Sequence, residues 1–316
     1  MRFRRSGFRR SGRLGGLGGF GRLPVKARLI IALVMALGGV FSYFRSRQVN
    51  PVTGETQAIA LTTDQEVALG LKSTPRMAAQ FGGLDRDSEL TARIERIGER
   101  LVSSTAAKNT PYRFKFHVLK DAETVNAFAL PGGPIFITRG LLKRLTNEAQ
   151  VAGVLGHEVG HVVGRHGAEK LAKGQLAKIL VGAVGVAASD ERGRGREAAQ
   201  VASFVANLAK LSYGREDELQ ADSLGVEFMS EAGYDPRALI DVMEVLAKAS
   251  GGRRKAEFLS SHPDPGNRSG KIRELIAKKY PQGPPSNLEL GRNPLGGSED
   301  SEERRERGQG VSGSLR

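Results

Sequence analysis

The alternation of apolar and polar positions divides the chain into five segments. One apolar run, Leu29–Phe44, contains no charged residue, and a long stretch with regular apolar spacing extends from Thr63 to Tyr280. The remaining segments are rich in charged residues, Gly, Pro or Ser, which favours disorder. The pattern therefore predicts a basic disordered segment at 1–28, a transmembrane helix at 29–44, a linker at 45–62, a globular domain at 63–280 and a disordered tail at 281–316.

The spacing within residues 63–280 predicts a mostly helical α+β domain. Apolar side chains recur every three or four residues in stretches such as 88–104, where Ile94, Ile97 and Leu101 share one face. Strand-like alternation is confined to "YRFKFHVL" and "PIFITRGLL", and the second of these runs into a helix. We expect further helices at 63–81, 148–172, 199–212, 215–232, 236–249 and 268–279.

The apolar run at 29–44 is predicted to be an uncleaved signal anchor. Its sixteen residues approach the roughly 17–25 that span a bilayer, and the flanking Arg28 and Arg45 can extend their side chains to the interface. A cleaved signal peptide would end in a small-x-small site, and "SYFRSRQ" offers none. Nine Lys or Arg residues precede the run and two closely follow it. This asymmetry predicts a cytoplasmic N-terminus and a globular domain across the membrane.

A second apolar segment, "LAKILVGAVGVAA" at 176–188, follows the central helix. Its thirteen residues are fewer than the roughly 20 that a spanning helix needs. It is either a helix buried in the domain or one that lies against the membrane surface, and we favour burial.

The net charge of +14 does not indicate a nucleic-acid partner for the globular domain. Eleven Lys and Arg residues and no acidic residue lie in the first 50 positions, whereas the other 266 positions hold 37 basic and 34 acidic residues. The domain is therefore nearly neutral, and binding by the basic N-terminus is disfavoured because a membrane segment follows it. The chain has no cysteine, so a bound metal would need His, Asp or Glu.

Three of the five histidines lie close together in "VLGHEVGHVVGRHG". His157 and His161 are four residues apart and share one helix face, with Glu158 directly after the first. This H-E-x-x-H arrangement binds Zn²⁺ through two imidazoles, and its glutamate takes a proton from zinc-activated water. The alternative is two histidines that form only hydrogen bonds in a buried helix, but a buried glutamate beside them is costly without a metal or partner.

Two templates offer a third zinc ligand. The first needs histidine at position 167, where the chain has Gly167; His166 is one residue away, about 100° around a helix, and is expected to point away from the metal. The second takes a glutamate from a later helix, where "YGREDELQADSLG" places Glu218 and Asp222 on one face. Spacing alone leaves the two acidic residues before Glu218 as rivals, and a solvated acidic patch as an equal alternative.

The chain from Thr63 to Lys279 resembles the membrane-associated zinc metallopeptidases related to HtpX and the CaaX prenyl protease, a gluzincin family. The matching segments occur in the family's order and are "EVALG", "RIERIGERL", "NAFALPGGPIFITRGLL", "EAQVAGVLGHEVGHVVGRHGAE", "YGREDELQAD" and "SHPDPGNR". The resemblance extends to a subgroup of bacterial proteases with a single anchor and a periplasmic domain, and to their mitochondrial inner-membrane relative. Gly214 departs from the serine usual in the family.

The resemblance implies a zincin-type metallopeptidase domain at 63–280, with a small β-sheet flanking the metal helix and one Zn²⁺ per chain. It assigns the metal ligands to His157, His161 and the Glu218 of an E-x-x-A-D motif. Asp222 would orient a ligand histidine from outside the metal's own ligands, and Glu158 would be the catalytic base.

The resemblance also implies a substrate-binding edge before the metal helix. A substrate strand would add to this edge through main-chain hydrogen bonds. The edge is expected to consist of Asn126, Ala127, Phe128, Ala129, Leu130, Pro131, Gly132 and Gly133. His262, in "SSHPDPGNR", is a second catalytic candidate that stabilises the oxyanion or caps the metal, and Arg268 is a weaker one.

The sequence thus predicts a membrane-anchored zinc endopeptidase with polypeptide substrates. The resemblance alone implies a role in envelope protein quality control, with misfolded envelope proteins as substrates. It also implies a place in the bacterial inner membrane, with the peptidase domain in the periplasm. The alternative is a non-proteolytic chaperone-like or scaffold protein with the same fold. The presence of Glu158, which such a protein could lose, favours the enzyme. The sequence indicates no oligomeric state.

Overall fold

The computed structural model describes residues 23–188, 213–250, 257–263 and 267–296. The chain forms two units. One contains helix α1 (Val25–Arg45) up to Phe44 and the part of helix α6 (His166–Ala188) from Gly174 on, and the other contains residues 45–173 and those from 210 on. The helix predicted at 199–212 lies outside the described residues.

The larger unit contains a β-hairpin, a three-stranded sheet and several helices. In chain order its further elements are β1 (Arg47–Val49), β2 (Thr56–Ala58), α2 (Thr63–Gln80), α3 (Ser88–Ser104), β3 (Lys115–Leu119), β4 (Ala127–Ala129), β5 (Pro134–Thr138), α4 (Arg139–Leu142), α5 (Glu148–Val163), α7 (Arg215–Glu231), α8 (Ala238–Ser250), α9 (Glu257–Ser261) and α10 (Arg268–Lys279). The predicted mostly helical α+β class is therefore confirmed.

The three-stranded sheet has the order β3-β5-β4. Strand β5 is parallel to β3 and antiparallel to β4, with Ile135 opposite Phe116 on one side and Ala129 on the other. All five residues of β5 are buried, as expected for a central strand with two covered faces. Among the described residues β4 pairs only with β5, so its outer edge is free of strand partners.

Helix α5 runs through the core of the larger unit. Every residue from Ala149 to Val163 is buried, which is the behaviour of a helix that is apolar on all sides. The Asn147 side chain caps its start by accepting a hydrogen bond from the Gln150 N–H (2.9 Å), and the Ala149 N–H donates to the Leu290 carbonyl (2.8 Å). Leu290 belongs to the stretch predicted as a disordered tail, of which residues 281–296 lie within the described structure.

The predicted linker holds the other end of helix α5. It contains the hairpin β1–β2, from which the buried side chains of Asn50 and Gln57 donate hydrogen bonds to the carbonyls of Val163 (2.9 Å) and Gly164 (2.6 Å). The last carbonyls of a helix have no partner within the helix itself. The hairpin therefore supplies hydrogen-bond donors that helix α5 needs.

The stretch 148–172, predicted as one helix, forms two. Helices α5 and α6 are separated at Gly164 and Arg165, and Arg165 has a left-handed backbone with φ 56°. The buried Arg165 guanidinium forms an ion pair with the buried Glu66 and donates to the Gln48 side chain (3.0 Å). These contacts stabilise a backbone conformation that a residue with a side chain rarely adopts.

Helices α1 and α6 are each long and apolar enough to cross a membrane. They contact each other at Gly39, where a Cβ atom would lie only 2.7 Å from Cγ2 of Ile179. Within the described chain, Ala183 and Val186 are the buried members of the apolar segment 176–188, whereas Ile179 and Val184 are 38% and 58% exposed. The expectation that this segment is buried is therefore wrong for most of its length.

Candidate metal centre

Helices α5 and α7 supply the three predicted metal ligands. His157 and His161 lie one turn apart on α5, Glu218 lies in the first turn of α7, and all three side chains are buried. Glycine at the contact lets the two helices approach, because a Cβ atom at Gly160 would lie 3.0 Å from the Ala221 carbonyl oxygen. This close approach brings Glu218 to the two histidines.

A fourth side chain joins the three predicted ligands. His157, His161, Glu218 and His262 each place one nitrogen or oxygen atom within 4.8 Å of the others. The Nε2 atoms of His157 and His161 are 3.0 Å apart, and carboxylate oxygens of Glu218 lie 3.5 Å and 3.4 Å from them. Nδ1 of His262 lies 3.0 Å from the Glu218 carboxylate and 3.3 Å from Nε2 of His157.

This donor set fits a tetrahedral metal ion. Nitrogen and oxygen ligands about 2.0–2.2 Å from a tetrahedral Zn²⁺ lie about 3.3–3.6 Å from one another, close to the separations observed here. In addition, both carboxylate oxygens of Glu158 and Nε2 of His262 are buried without a hydrogen bond among the described residues, and Nε2 of His262 faces Oε1 of Glu158 at 3.5 Å. Such atoms call for an ion or a water, and a metal-centred cluster would supply both.

Burial and mutual hydrogen bonds set the charges of the cluster. Burial raises the pKa of Glu218, but its contacts with the three histidines outweigh burial and hold that pKa well below its usual range. Burial lowers the pKa of His161 well below its usual value, and burial raises the pKa of Glu158. Glu218 and His161 are therefore in the ionised and neutral forms that bind a metal, and Glu158 is a carboxylate of increased basicity. The raised pKa of His157 favours its protonated form, so this ring must release a proton when a metal binds.

Asp222 and Arg268 support His157. Oδ1 of Asp222 lies 2.9 Å from Nδ1 of His157, and Arg268 donates to both oxygens of Asp222 at 2.6 Å and 2.7 Å. Nη1 of the buried Arg268 also lies 3.1 Å from Glu218. Burial and Arg268 lower the pKa of His157, but hydrogen bonds with Asp222 and Glu218 raise it to about 9. Asp222 thus lies where the sequence expects an orienting group, and Arg268 is closer to the cluster than its weak sequence signal suggests.

His166, Gln220 and Tyr213 surround His161. The Nδ1 atoms of His166 and His161 are 2.8 Å apart, Nε2 of His166 is 2.8 Å from Oε1 of Gln220, and the Tyr213 ring stacks on His161 with 4.0 Å between centroids. The expectation that His166 points away assumed an unbroken helix, and the break at Arg165 turns it back toward His161. His166 is nevertheless outside the group of four donors. Tyr213 and Gln220 lie within the segment "YGREDELQAD", but the sequence pattern gives neither of them a role.

The acidic residues that precede Glu218 face elsewhere. Glu216 is exposed, and Asp217 accepts a hydrogen bond from the main-chain N–H of Gly214 (2.9 Å) at the start of α7. Neither belongs to the group of four donors.

The predicted substrate edge consists of a strand followed by a turn. Ala127–Ala129 form the edge strand β4, which contacts α5, and the Phe128 ring stacks on Phe136 of β5 with 4.9 Å between centroids. Asn126 directly precedes the strand, and its buried Oδ1 has no hydrogen-bond partner among the described residues. The structure therefore places next to helix α5 an extended strand that, within the described residues, is paired along one edge only.

The turn at Leu130–Gly133 packs tightly against its surroundings. Gly132 and Gly133 have φ values of 82° and 122°, and Gly132 lies against the main chain of Val67, so a side chain is excluded there. A small cavity lies beside this region and beside His161. Its lining includes Ala129, Leu130 and Pro131 together with His161 and Tyr213.

The known proteins to which this chain is similar are peptidases, several of them named as metallopeptidases. Residues 88–276 match the model of peptidase family M48. The mitochondrial metalloendopeptidase OMA1 of Schizosaccharomyces pombe is 30% identical over 251 residues, which cover 78% of this chain and 71% of the relative. The beta-barrel assembly-enhancing protease of Escherichia coli K12 is 29% identical over 271 residues, 80% of this chain and 54% of the relative. The metalloprotease YcaL of the same organism is 28% identical over 200 residues, 61% of this chain and 76% of the relative. The chain spans about half the length of the beta-barrel assembly-enhancing proteases that it matches.

Proposed function

The chain belongs to peptidase family M48, and on that premise we propose that it is a membrane-anchored zinc endopeptidase in which Glu158 is the general base. The observation that carries the proposal is the buried group of His157, His161, Glu218 and His262, with donor atoms within 4.8 Å of one another, next to a Glu158 carboxylate without a hydrogen-bond partner among the described residues.

Bound zinc would lower the pKa of a water molecule and polarise the peptide carbonyl. Glu158 is suited to accept the proton of the attacking water, because burial raises the pKa of its carboxyl group. The same carboxylate can then return that proton to the leaving amine. Asp222 accepts a hydrogen bond from His157 and, with Arg268 bound to it, keeps the other ring nitrogen of His157 directed at the cluster.

We assign His262 to the fourth donor position rather than to the oxyanion. Its Nδ1 lies 3.0 Å from Glu218 and 3.3 Å from His157, among the ligand atoms themselves. A residue that stabilises an oxyanion would point at the position where substrate binds. Three protein ligands would remain if His262 moved away, which leaves an open position as in catalytic zinc sites.

We propose that polypeptide substrates bind along β4. Its outer edge lacks a strand partner within the described part of the chain, so an extended substrate can add to it through main-chain hydrogen bonds. Ala129, Leu130 and Pro131 line a small cavity together with the ligand His161, so a strand bound beside them would lie close to the four donors. The resemblance to single-anchor bacterial proteases and the similarity to beta-barrel assembly-enhancing proteases favour misfolded envelope proteins as substrates.

The same relatives favour a role in membrane or envelope protein quality control, with α1 as the anchor. The excess of Lys and Arg before α1 favours a cytoplasmic N-terminus and a periplasmic peptidase domain in a bacterial inner membrane. The exposed apolar residues of α6 favour contact of its 176–188 segment with that membrane, the alternative to burial.

The test is zinc content and proteolysis of the full-length chain purified in detergent. We expect one zinc per chain and casein cleavage that is lost on chelation and restored by Zn²⁺. Stoichiometric zinc without cleavage of any unfolded substrate would favour the chaperone-like or scaffold alternative, and absence of zinc would contradict the proposed ligand set.

A further inference from the structure

A chain of hydrogen bonds runs from His161 to helix α7 through two residues that the proposed mechanism does not use. Nδ1 of His161 is 2.8 Å from Nδ1 of His166, and Nε2 of His166 is 2.8 Å from Oε1 of Gln220. His161 and His166 are buried at 2% and 1% exposure. A neutral His166 ring donates through one nitrogen and accepts through the other. The direction of its hydrogen bond with His161 therefore fixes the direction of its hydrogen bond with Gln220.

The direction follows from the hydrogen count of a neutral imidazole, which carries one N–H donor and one acceptor nitrogen. His161 can direct a lone pair at the donor cluster through Nε2 only if its Nδ1 carries the hydrogen and donates it to His166. His166 then carries its own hydrogen on Nε2, and that hydrogen is donated to Gln220. In this arrangement Oε1 of Gln220 accepts from Nε2 of His166 at 2.8 Å.

We propose that His166 and Gln220 are positioning residues that hold His161 in the tautomer and ring orientation that bind the metal. The inference rests on the proposed function, since it concerns the metal affinity of the same centre. The two ligand histidines then have different hydrogen-bond partners. Asp222 lies 2.9 Å from Nδ1 of His157, whereas the neutral His166, itself bonded to the Gln220 amide, contacts Nδ1 of His161.

An independent observation at Gly164 supports the relay. Gly164 has ordinary helical angles, φ −69° and ψ −9°, so its conformation does not require glycine. A Cβ atom there, however, would lie 2.5 Å from Nε2 of His166 and 3.0 Å from Oε1 of Gln220. Glycine at this position therefore leaves space for the His166–Gln220 contact.

The opposite hydrogen-bond direction would block the metal. If the Gln220 amide rotated, its N–H would donate to Nε2 of His166, and His166 would donate to His161. His161 would then carry its hydrogen on Nε2, where the metal needs a lone pair. A Gln220→Glu substitution removes this second direction, because an ionised carboxylate only accepts.

The experiment measures the zinc dissociation constant of the full-length chain by chelator competition, with the Co²⁺ absorption spectrum and the thermal unfolding of the metal-free form as further readouts. His166→Phe keeps a ring but no nitrogen, and His166→Asn keeps an acceptor near the position of Nδ1. We expect His166→Phe and Gln220→Leu to weaken zinc binding roughly 10–100-fold, as for other residues that orient a metal ligand, and to alter the Co²⁺ spectrum. His166→Asn and Gln220→Glu should bind zinc nearly as tightly as the parent.

Parental affinity in His166→Phe or in Gln220→Leu would overturn the inference. So would a His166→Asn affinity as weak as that of His166→Phe, since a loss of packing alone affects both. If His166→Phe does not fold, the comparison of Gln220→Leu with Gln220→Glu provides the test, because Gln220 is only half-buried. Failure of the parent chain to bind zinc would instead overturn the proposed function.

Discussion

Glu218 faces both histidines of the H-E-x-x-H motif: its two carboxylate oxygens lie 3.5 Å from Nε2 of His157 and 3.4 Å from Nε2 of His161. Glu218 of α7 therefore adds a carboxylate to the two imidazoles that α5 supplies. Asp222, one turn further along α7, contacts the opposite ring nitrogen of His157 at 2.9 Å. The two acids share a helix face and differ in which side of the imidazole they contact.

The first prediction follows from this difference. Glu218→Ala should purify with little zinc and no activity, because it removes a direct ligand. Asp222→Ala should bind zinc roughly 10–100-fold more weakly, because it removes a group that only orients His157. Metal analysis after identical dialysis checks both, with Asp217→Ala as the matched control that keeps stoichiometric zinc. The ligand assignment is wrong if Asp217→Ala loses zinc while Glu218→Ala keeps it.

The second prediction concerns Glu158. Glu158→Gln should keep parental zinc content, since Glu158 is outside the group of four donors, and should lose casein cleavage by about 10³-fold, within the usual range for removal of a general base. Zinc content and cleavage rate are measured on the same preparation. Substantial turnover by a zinc-loaded Glu158→Gln chain would contradict the assigned role.

The third prediction separates the two roles considered for His262. If His262 is only a fourth donor, His262→Ala should retain zinc on three protein ligands. Its turnover should also be undiminished. As an oxyanion donor, its loss would reduce kcat about 10²–10³-fold at parental zinc content. Measurement of kcat, KM and zinc for His262→Ala distinguishes these results, and we expect the first.

The sequence predicts those parts of the fold in which a periodic pattern coincides with burial. Helix α3 occupies the predicted 88–104, because Ile94, Ile97 and Leu101 repeat with the helical period and all face the core. The central helix is recognisable for the same reason, together with the spacing of its histidines. Local spacing also places Glu218 and Asp222 on one face of a helix.

The sequence does not predict contacts that polar side chains and main chain make over long distances. Asn50 and Gln57 hold the end of α5 from a hairpin with few apolar residues, and Leu290 holds its start from a stretch rich in Pro and Gly. His262 is 105 residues from His157 along the chain, so only the folded structure brings them together. The left-handed Arg165 has no local turn signal, and without it the position of His166 is misjudged.

The fourth prediction concerns topology. A periplasm-dependent reporter fused after Arg316 should be active, and a cytoplasm-dependent reporter at the same position should be inactive. Deletion of residues 1–45 should convert the protein from an integral to a peripheral membrane protein, because it removes α1 and leaves the β1–β2 hairpin and the 176–188 segment of α6 intact. The matched control replaces the basic residues before Leu29 with Ser, which should weaken or invert the orientation. Activity of the cytoplasmic reporter in the unmodified chain would contradict the proposed orientation.

The fifth prediction concerns the ion pair between Arg165 and Glu66, whose side chains are 6% and 1% exposed. Removing one partner leaves the other charge buried without compensation, so Arg165→Met and Glu66→Leu should each lower the free energy of unfolding by about 3–5 kcal/mol. The double variant should lose less than the sum, since it leaves no uncompensated charge. Thermal unfolding of the metal-free chains checks this. Lys271→Met is the matched control: it removes an ion pair with Glu274 in which both side chains are exposed, at 51% and 65%, and it should change stability by less than about 1 kcal/mol. Equal effects of Arg165→Met and Lys271→Met would show that the Arg165–Glu66 pair does not stabilise the end of helix α5.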